Sequence, residues 1–223
     1  MAKQLTIGVL ASGSGTNFQS IIDAVEGGDL DATIAVLISN NPQSYAIERA
    51  KKHSIAVEIL DHRNFSSRGH FDQRMVDLLR DYGVELVVMA GFMRILSPLF
   101  LRAFPHRIMN IHPALLPSFP GLNAQKQAFD YGVKFSGCTV HFADEGVDTG
   151  PIIIQAVVPV LDDDTEESLQ KRILQEEHRI YPRAIKLYAE ERLEITGRKV
   201  RTLSYPKPRI EARHNPPLPA SGE

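Results

Sequence analysis

The sequence has very little cysteine and no long hydrophobic run. Cys138 is the only cysteine among 223 residues, so a disulfide within the chain is excluded. It lies in a strand-like segment, residues 136–140, with no lysine, arginine or second cysteine beside it. This setting indicates a buried, inert thiol and not a nucleophile. No apolar stretch reaches the roughly 18 residues that a membrane span requires.

Targeting signals, strong charge and metal motifs are also missing. The first apolar run is interrupted at residues 12–15, so no signal peptide is predicted and the cytoplasm is the expected location. A formal net charge of −2 provides no general attraction for nucleic acid or an anionic membrane. The histidines show no zinc-type spacing with cysteine or glutamate, and residues 144–151 do not match a calcium loop. We therefore expect small-molecule partners and no metal, for a monomer or a homodimer.

Apolar runs of strand length alternate with helical periods along most of the chain. The order predicts a single α/β domain with a Rossmann-like, doubly wound, mostly parallel sheet. The later strands follow one another too closely for a helix, so they are predicted to be antiparallel. Strands are predicted at residues 5–11, 32–39, 56–60, 84–91, 107–111, 136–142 and 151–160, and helices at 17–26, 45–53, 65–82 and 164–191.

The C-terminal part carries two further predictions. The long helix is expected to begin with Asp164 as N-cap and Glu167 reaching back to it, and to bend at Pro182. The domain is assigned to residues 1–205. Residues 206–223 combine prolines with charged and small residues, which predicts a mobile tail.

A glycine-rich turn, residues 12–17, joins the first strand to the first helix. Its glycines allow a tight turn, and the free amides of a helix N-terminus attract an anion. A dinucleotide fingerprint would need a glycine where Phe18 stands and an acidic residue where Asn40 and Asn41 stand. A P-loop would need a lysine that is not there. The turn therefore predicts a monophosphate site rather than one for a nicotinamide cofactor or ATP, with a purely structural turn as the alternative.

An amide and an imidazole end the fifth predicted strand. Asn110 and His112 are two residues apart, so their side chains point to the same side, and Pro113 disfavours a continuing strand. A hydrogen-bond donor beside a titratable base is typical of acyl-transfer sites that also use a carboxylate. For the histidine alone, a structural role at a corner is the alternative.

Asp148 is the candidate carboxylate. Two glycines flank Val147 and Asp148, which predicts a tightly shaped loop that turns the carboxylate inward. Beside His112 it would fix the tautomer of the ring and favour its protonated form. The glycine-rich turn, residues 91–96 and the Asn110–His112 pair all follow strands, and open α/β sheets bind ligands at the carboxyl ends of their strands. We therefore expect one site at that edge of the sheet.

Several segments between about residues 5 and 195 form a recognisable set. They are Ser12-Gly13-Ser14-Gly15-Thr16-Asn17, Ala90-Gly91-Phe92-Met93-Arg94-Ile95-Leu96, Asn110-Ile111-His112-Pro113, Leu115-Leu116-Pro117, Pro120-Gly121, Asp148-Thr149-Gly150-Pro151 and Glu176-Glu177-His178-Arg179-Ile180-Tyr181-Pro182. Together they resemble the phosphoribosylglycinamide formyltransferases, a family of folate-dependent formyltransferases. The Asn-x-His pair with Leu-Leu-Pro is shared across folate-dependent formyltransferases, whereas the first turn and the late helix are more specific to this family.

The resemblance implies a reaction. A formyl group would move from 10-formyltetrahydrofolate, a co-substrate, to the amine of glycinamide ribonucleotide in purine synthesis, without a metal. Asn110 and protonated His112 would stabilise the negative charge on the formyl oxygen. Asp148 would keep His112 charged and help to move a proton from the amine to the folate nitrogen.

The resemblance also implies binding roles. Met93, Arg94, Ile95 and Leu96 would line the pterin cleft, mostly through backbone groups. Arg68 would lie near the carboxylates of the folate tail, with a solvated helix charge as the alternative. The residues implied for phosphate and ribonucleotide are Gly15, Thr16, Asn17 and Glu177, and those for folate are Arg68, Met93, Arg94, Ile95, Leu96, Asn110 and Asp144.

Other formyl-transfer enzymes are the nearest alternatives. A methionyl-tRNA formyltransferase would need a C-terminal domain and a basic surface. A formyltetrahydrofolate hydrolase would carry an N-terminal regulatory domain, whereas the first strand is predicted to begin at residue 5. A sugar-nucleotide formyltransferase would be longer. From another class, a non-catalytic folate- or nucleotide-binding module would bind its ligand without any need for His112.

Overall fold

The computed structural model describes residues 4–204 and residue 215, so the predicted tail lies outside the described residues except for Asn215. The described part forms one sheet with the spatial strand order β3-β2-β1-β4-β5-β6-β7-β9-β8. Its strands are β1 Leu5–Ala11, β2 Ala32–Ser39, β3 Ala56–Ile59, β4 Leu86–Met89, β5 Ile108–His112, β6 Phe135–Phe142, β7 Ile152–Pro159, β8 Leu193–Thr196 and β9 Lys199–Thr202.

Strand directions confirm the predicted sheet. β1 is parallel to its neighbours β2 and β4, and the parallel part continues to β3 and β5. β6 is antiparallel to both β5 and β7. Because the strand order reverses between β1 and β4, a crevice opens at their carboxyl ends, where such sheets bind ligands.

Helices cover both faces of the sheet. The helices of the described part are α1 Thr16–Glu26, α2 Tyr45–Lys52, α3 Arg68–Asp81, α4 Pro98–Ala103, α5 Ala124–Tyr131 and α6 Glu166–Ala189, with a 3-10 helix at His62–Asn64. Within residues 4–204, none of them combines the length and apolar character of a membrane-crossing helix.

Two apolar cores lie on opposite faces of the sheet. Val9 is fully buried in the first core and Leu10, its neighbour in β1, is fully buried in the second. Side chains of α1, α2 and α6 complete the first core, and those of α3 and α4 complete the second. Burial on both faces explains the uninterrupted apolar runs of the central strands and confirms the doubly wound arrangement.

Helix α3 begins later than predicted. It begins at Arg68 instead of residue 65, because Ser67 is its N-cap. The Ser67 hydroxyl accepts a hydrogen bond from His70 N at 3.2 Å, which satisfies one amide of the first turn.

The predicted cap of α6 is wrong. Thr165 is the N-cap, and a reciprocal pair of bonds links its side chain and backbone to those of Ser168. Asp164 instead accepts a hydrogen bond from Ser168 Oγ at 2.6 Å and pairs with Arg172 at 2.7 Å. Glu167 pairs with Lys171 at 2.8 Å and does not reach back to the cap. The helix continues through Pro182, and the bend predicted there stays a prediction.

Several short elements were not predicted. Helix α4 has six residues and each strand of the β8–β9 hairpin has four. The four-residue strands β3 and β4 were predicted because each lies within a longer apolar run, which α4 and the β8–β9 hairpin lack. Helix α5 was also missed, since its eight residues bury only Ala124 and Ala128.

A buried hydroxyl ties α6 to two central strands. The side chain of Tyr181 is fully buried, and its Oη lies 3.0 Å from Met89 O and 2.9 Å from Met109 O. Its single proton is therefore shared between carbonyls of β4 and β5. The bond fixes α6 beside the strand ends at which the candidate site lies.

Replacing Tyr181 with phenylalanine should lower the free energy of unfolding by about 1–2 kcal/mol, because buried carbonyls lose a donor. Urea denaturation would measure the change. The matched control is Tyr131→Phe, since Tyr131 is 78% exposed, and its effect should stay within about 0.5 kcal/mol. Equal losses in the two variants would show that the Tyr181 hydroxyl does not stabilise the fold.

Candidate active site

One glycine shapes the glycine-rich turn after β1. Gly15 is the N-cap of α1 with a φ of 69°, in the left-handed region that glycine adopts without strain. A Cβ built on Gly15 would lie 2.7 Å from the Cβ of Ala46, so a side chain there would push α2 away. Backbone conformation and close packing therefore both require glycine at this position.

Helix α2 and the loop before it hold the turn in place. Ser44 Oγ donates to Gly13 O at 2.8 Å, and Arg49 Nε donates to Ser14 O at 2.9 Å. The first intrahelical bond of α1 runs from Gln19 N to the carbonyl of the N-cap. The amides that precede Gln19 point out of the helix, which is the geometry that binds phosphate.

Asn17 connects the turn to α6. Its Nδ2 donates to Glu177 Oε2 at 2.7 Å, while its Oδ1 is buried without a hydrogen-bond partner. Burial raises the pKa of Glu177, and the hydrogen bond from Asn17 opposes that rise. Gly15, Thr16, Asn17 and Glu177 thus lie together, and the unpaired acceptor suits a hydroxyl donor of a ligand.

Residues 91–96, the crevice wall, follow β4 on the other side. Met93 and Ile95 are 67% and 60% exposed, whereas Leu96 is buried. The guanidinium of Arg94 lies 5.2 Å from the centroid of the Phe71 ring. Exposed apolar side chains beside a crevice are suited to a flat heterocycle.

Arg68 holds the crevice wall from α3. Its Nη2 donates to Ile95 O, and its Nε lies 4.0 Å from Asp72 Oδ2. Asp72 is buried and accepts a hydrogen bond from Ser97 N at 2.7 Å. Arg68 is therefore more than a solvated charge, and its side chain, still 45% exposed, can also meet a carboxylate.

Asp148 lies among donors at the end of β5. Its Oδ1 is 3.4 Å from Asn110 Nδ2, and its Oδ2 is 3.3 Å from His112 Nδ1. Gly121 N donates to Oδ2 at 2.8 Å. Asp148 has a φ of 55°, in the left-handed region. The three predicted catalytic residues are therefore brought together.

His141 belongs to the same cluster and was not predicted. It lies on β6 directly opposite Asn110 and is buried. Its Nε2 is 3.2 Å from Asn110 Nδ2 and 3.6 Å from Asp148 Oδ1, and its Nδ1 is 2.9 Å from Phe142 O. Because a carbonyl can only accept, Nδ1 carries the proton, and Nε2 accepts from Asn110. Only the register between two strands reveals this neighbour.

Opposing effects set the charge of His112. Burial lowers its pKa below the ordinary 6.5 and outweighs the Phe119 carbonyl and Asp148, both of which raise it. Asp148 thus favours the protonated form, as predicted, whereas the ring charged during the reaction stays a prediction. Nε2 lies 2.8 Å from Phe119 O while Nδ1 faces Asp148, so both nitrogens face acceptors. A proton gained during a reaction would find a partner on either side of the ring.

The carboxyl of Asp148 is held in its ionised form. Burial alone would raise its pKa, but the imidazole of His141, the hydrogen bond from Gly121 N and the nearby His112 together bring the pKa below 3.8. A base with a lowered pKa beside an ionised carboxylate can accept and return a proton near neutral pH.

Two further predictions concern Asp144 and Cys138. Asp144 Oδ1 accepts hydrogen bonds from Thr149 Oγ1 at 2.6 Å and Gly146 N at 3.1 Å, so it shapes the loop that carries Asp148. Cys138 is buried in β6, and burial raises the pKa of its thiol, as expected for an inert group. Within the described part of the chain, no three His, Cys, Asp or Glu residues are grouped so as to hold a metal ion.

Known proteins resemble this chain over most of its length. A model of the formyl transferase family matches residues 5–185. The phosphoribosylglycinamide formyltransferase of Haemophilus influenzae is 43% identical over 189 residues, which cover 85% of this chain and 89% of that protein. The trifunctional purine biosynthetic protein adenosine-3 of Drosophila melanogaster is 47% identical over 181 residues, which are 80% of this chain but only 13% of that protein.

The fold is also shared with a solved structure. Glycinamide ribonucleotide transformylase 1 from Symbiobacterium toebii superposes with a TM-score of 0.89 at 53% identity, covering 90% of this chain and 95% of that one. The resemblance inferred from the motifs is confirmed, and so is the single α/β domain.

The pKa of His112 should respond in opposite directions to its two neighbours. Asp148→Asn should lower it further, because the carboxylate raises it, and His141→Phe should raise it, because His141 lowers it. An NMR titration of the histidine rings would measure both shifts, with the His112 signal assigned by its loss in His112→Gln. His70→Gln, a change at an exposed histidine, should leave the pKa of His112 unchanged. A rise in Asp148→Asn would contradict this electrostatic explanation.

Proposed function

Since the chain belongs to the formyl transferase family, and within it to the phosphoribosylglycinamide formyltransferases, we propose that it transfers the formyl group of 10-formyltetrahydrofolate to the amine of glycinamide ribonucleotide. The products are formylglycinamide ribonucleotide and tetrahydrofolate, in purine synthesis. The observation that carries the proposal is the cluster of Asn110, His112 and Asp148 at the end of β5, in which His112 is buried and the other two are half-buried.

Asn110 is the donor that stabilises the transition state. Attack of the amine on the formyl carbon moves negative charge onto the formyl oxygen. The Asn110–Asp148 contact of 3.4 Å is long for a hydrogen bond, so a short bond to an oxyanion can replace it at little cost. His141 keeps the other amide hydrogen and fixes the plane of the amide.

Neutral His112 is the base that moves the proton. As the bond between the amine nitrogen and the formyl carbon forms, the imidazole accepts a proton from the amine, directly or through water. Asp148 and Phe119 O then accept from the two N–H groups of the ring. When the bond from the formyl carbon to the folate nitrogen breaks, the imidazolium returns the proton to that nitrogen. The lowered pKa of His112 supports a ring that is neutral at first and gains its proton from the amine, rather than a ring that is charged before the reaction begins.

The two substrates are held on opposite sides of the cluster in this proposal. The amides of Gly15, Thr16 and Asn17 bind the phosphate, and Glu177 binds the ribonucleotide. The crevice wall binds the pterin through Met93, Arg94, Ile95 and Leu96, with Arg68 near the folate tail and Asp144 holding the adjacent loop. The support is that the glycine-rich turn follows β1 and the crevice wall follows β4, and these two strands are parallel neighbours in the sheet.

The remaining parts of the proposal concern partners and location. We propose small-molecule substrates only, with no metal, nucleic acid or membrane partner, for a monomer or homodimer in the cytoplasm. The net charge of −2 supports the expectation about nucleic acid and anionic membranes.

The protein should consume 10-formyltetrahydrofolate only when glycinamide ribonucleotide is present, as followed by the absorbance of the folate. His112→Ala and Asp148→Asn should each slow turnover by about 100-fold or more, because proton transfer is lost. Asn110→Ala should slow it by about 100-fold, because the oxyanion loses a donor.

Two exposed residues offer matched controls for this assay. His70→Gln and Asp130→Asn change the same residue types away from the cluster and should keep full turnover. Equal folate loss without the ribonucleotide would identify a hydrolase. If 10-formyltetrahydrofolate is consumed neither with nor without the ribonucleotide, a non-catalytic binding module would replace the transferase as the proposed function.

A further inference from the structure

Ser12, the first residue of the glycine-rich turn, is bonded to the loops that follow two other strands. Its N donates to Gly91 O at 3.0 Å, and its carbonyl accepts from Asn41 Nδ2 at 3.1 Å. Its hydroxyl donates to Asn40 Oδ1 at 2.6 Å and accepts from Met93 N at 2.9 Å. One residue thus joins the chain segments that follow β1, β2 and β4.

The hydroxyl makes the bond that reaches the crevice wall itself. Gly91 is bonded by the backbone of Ser12, as a continuation of the β1–β4 ladder, and any residue could make that bond. Met93 lies further along, and its amide is bonded by a side chain. The second partner of the hydroxyl, Asn40, is buried, so the orientation of the O–H group is fixed.

We infer that Ser12 is a positioning residue that couples the two substrate sites. Ser12 belongs to the turn on which the anion would bind, and its hydroxyl holds the amide of Met93 in the crevice wall, so a ligand that restrains one segment also restrains the other. The first ligand to bind therefore supplies part of the ordering that the second would otherwise have to supply. The inference rests on the proposed function, because it takes the turn as the phosphate site and residues 91–96 as the folate site.

Coupling of this kind must be reciprocal. Whatever factor a phosphate contributes to folate affinity, folate contributes to phosphate affinity. The two substrates of the reaction also touch each other at the reacting atoms, and this direct contact would add to any coupling through the protein. Inorganic phosphate can occupy the turn without carrying the amine that meets the formyl group, so it reports only the coupling through the protein.

The test is the affinity for tetrahydrofolate, measured by calorimetry with and without saturating inorganic phosphate. In the wild-type protein, phosphate should tighten tetrahydrofolate binding by about 5-fold or more. In Ser12→Ala, tetrahydrofolate should still bind, but the ratio of the two dissociation constants should fall to one. Asn40→Ala keeps the hydroxyl but removes its fixed acceptor, and should give an intermediate ratio.

Ser136 provides the matched control. It is a strand serine, 2% exposed, whose hydroxyl has no hydrogen-bond partner, so Ser136→Ala removes the same atom without breaking a bond. In Ser136→Ala, the ratio of the tetrahydrofolate dissociation constants without and with phosphate should equal that of the wild type. Ser12→Thr keeps a hydroxyl at this position and should retain part of the coupling. If Ser12 had only a structural role, Ser12→Ala would lower the stability in thermal unfolding and leave the ratio of dissociation constants unchanged.

Two results would overturn the inference. One is a wild-type protein whose tetrahydrofolate affinity does not respond to phosphate. The other is a ratio in Ser12→Ala equal to that of the wild type; if this variant does not fold, a wild-type ratio in Asn40→Ala counts in the same way. The formyl-transfer assay is run on the same preparations. Turnover by the wild-type protein would show that the proposed function holds even when the coupling is absent, whereas no turnover would mean that the proposed function itself has failed.

Discussion

A carboxylate withdrawn from water needs hydrogen-bond donors, and in this protein the half-buried Asp148 sets that requirement. Its oxygens face Asn110 and His112 from β5 and the amide of Gly121 from the loop after β5, and His141 on β6 accepts a hydrogen bond from Asn110. These groups come from three parts of the chain that only the sheet brings together. The antiparallel pairing of β5 with β6 is therefore as necessary to the site as the parallel sheet that carries the crevice.

The site could be predicted from the sequence where the relation between residues is local. The spacing of Asn110 and His112 placed them on one side of a strand, and the glycines of residues 12–17 indicated an anion site. His141 was missed because its role depends on the register of β5 against β6, which neither strand encodes alone. The lowered pKa of His112 could not be predicted because it depends on burial, and burial is a property of the assembled core.

The fold shows the same division between local and non-local information. Strands with long apolar runs were predicted almost to their ends, because burial on both faces leaves a strong pattern in the sequence. The cap of α6 was placed one residue too early, since Asp164 and Thr165 are both good capping residues and only the geometry at Ser168 selects between them. The short β8–β9 hairpin buries too little apolar surface to leave a signal.

The left-handed backbone of Asp148 restricts which residues can replace it. Aspartate and asparagine tolerate a φ near 55° better than longer or β-branched residues, because their short polar side chains bond locally. Asp148→Asn therefore changes charge while keeping the shape of the turn, so its effect reports on electrostatics. A glutamate would lengthen the acid and strain the backbone together. Moving this carboxylate, in evolution or by engineering, means rebuilding the loop around it.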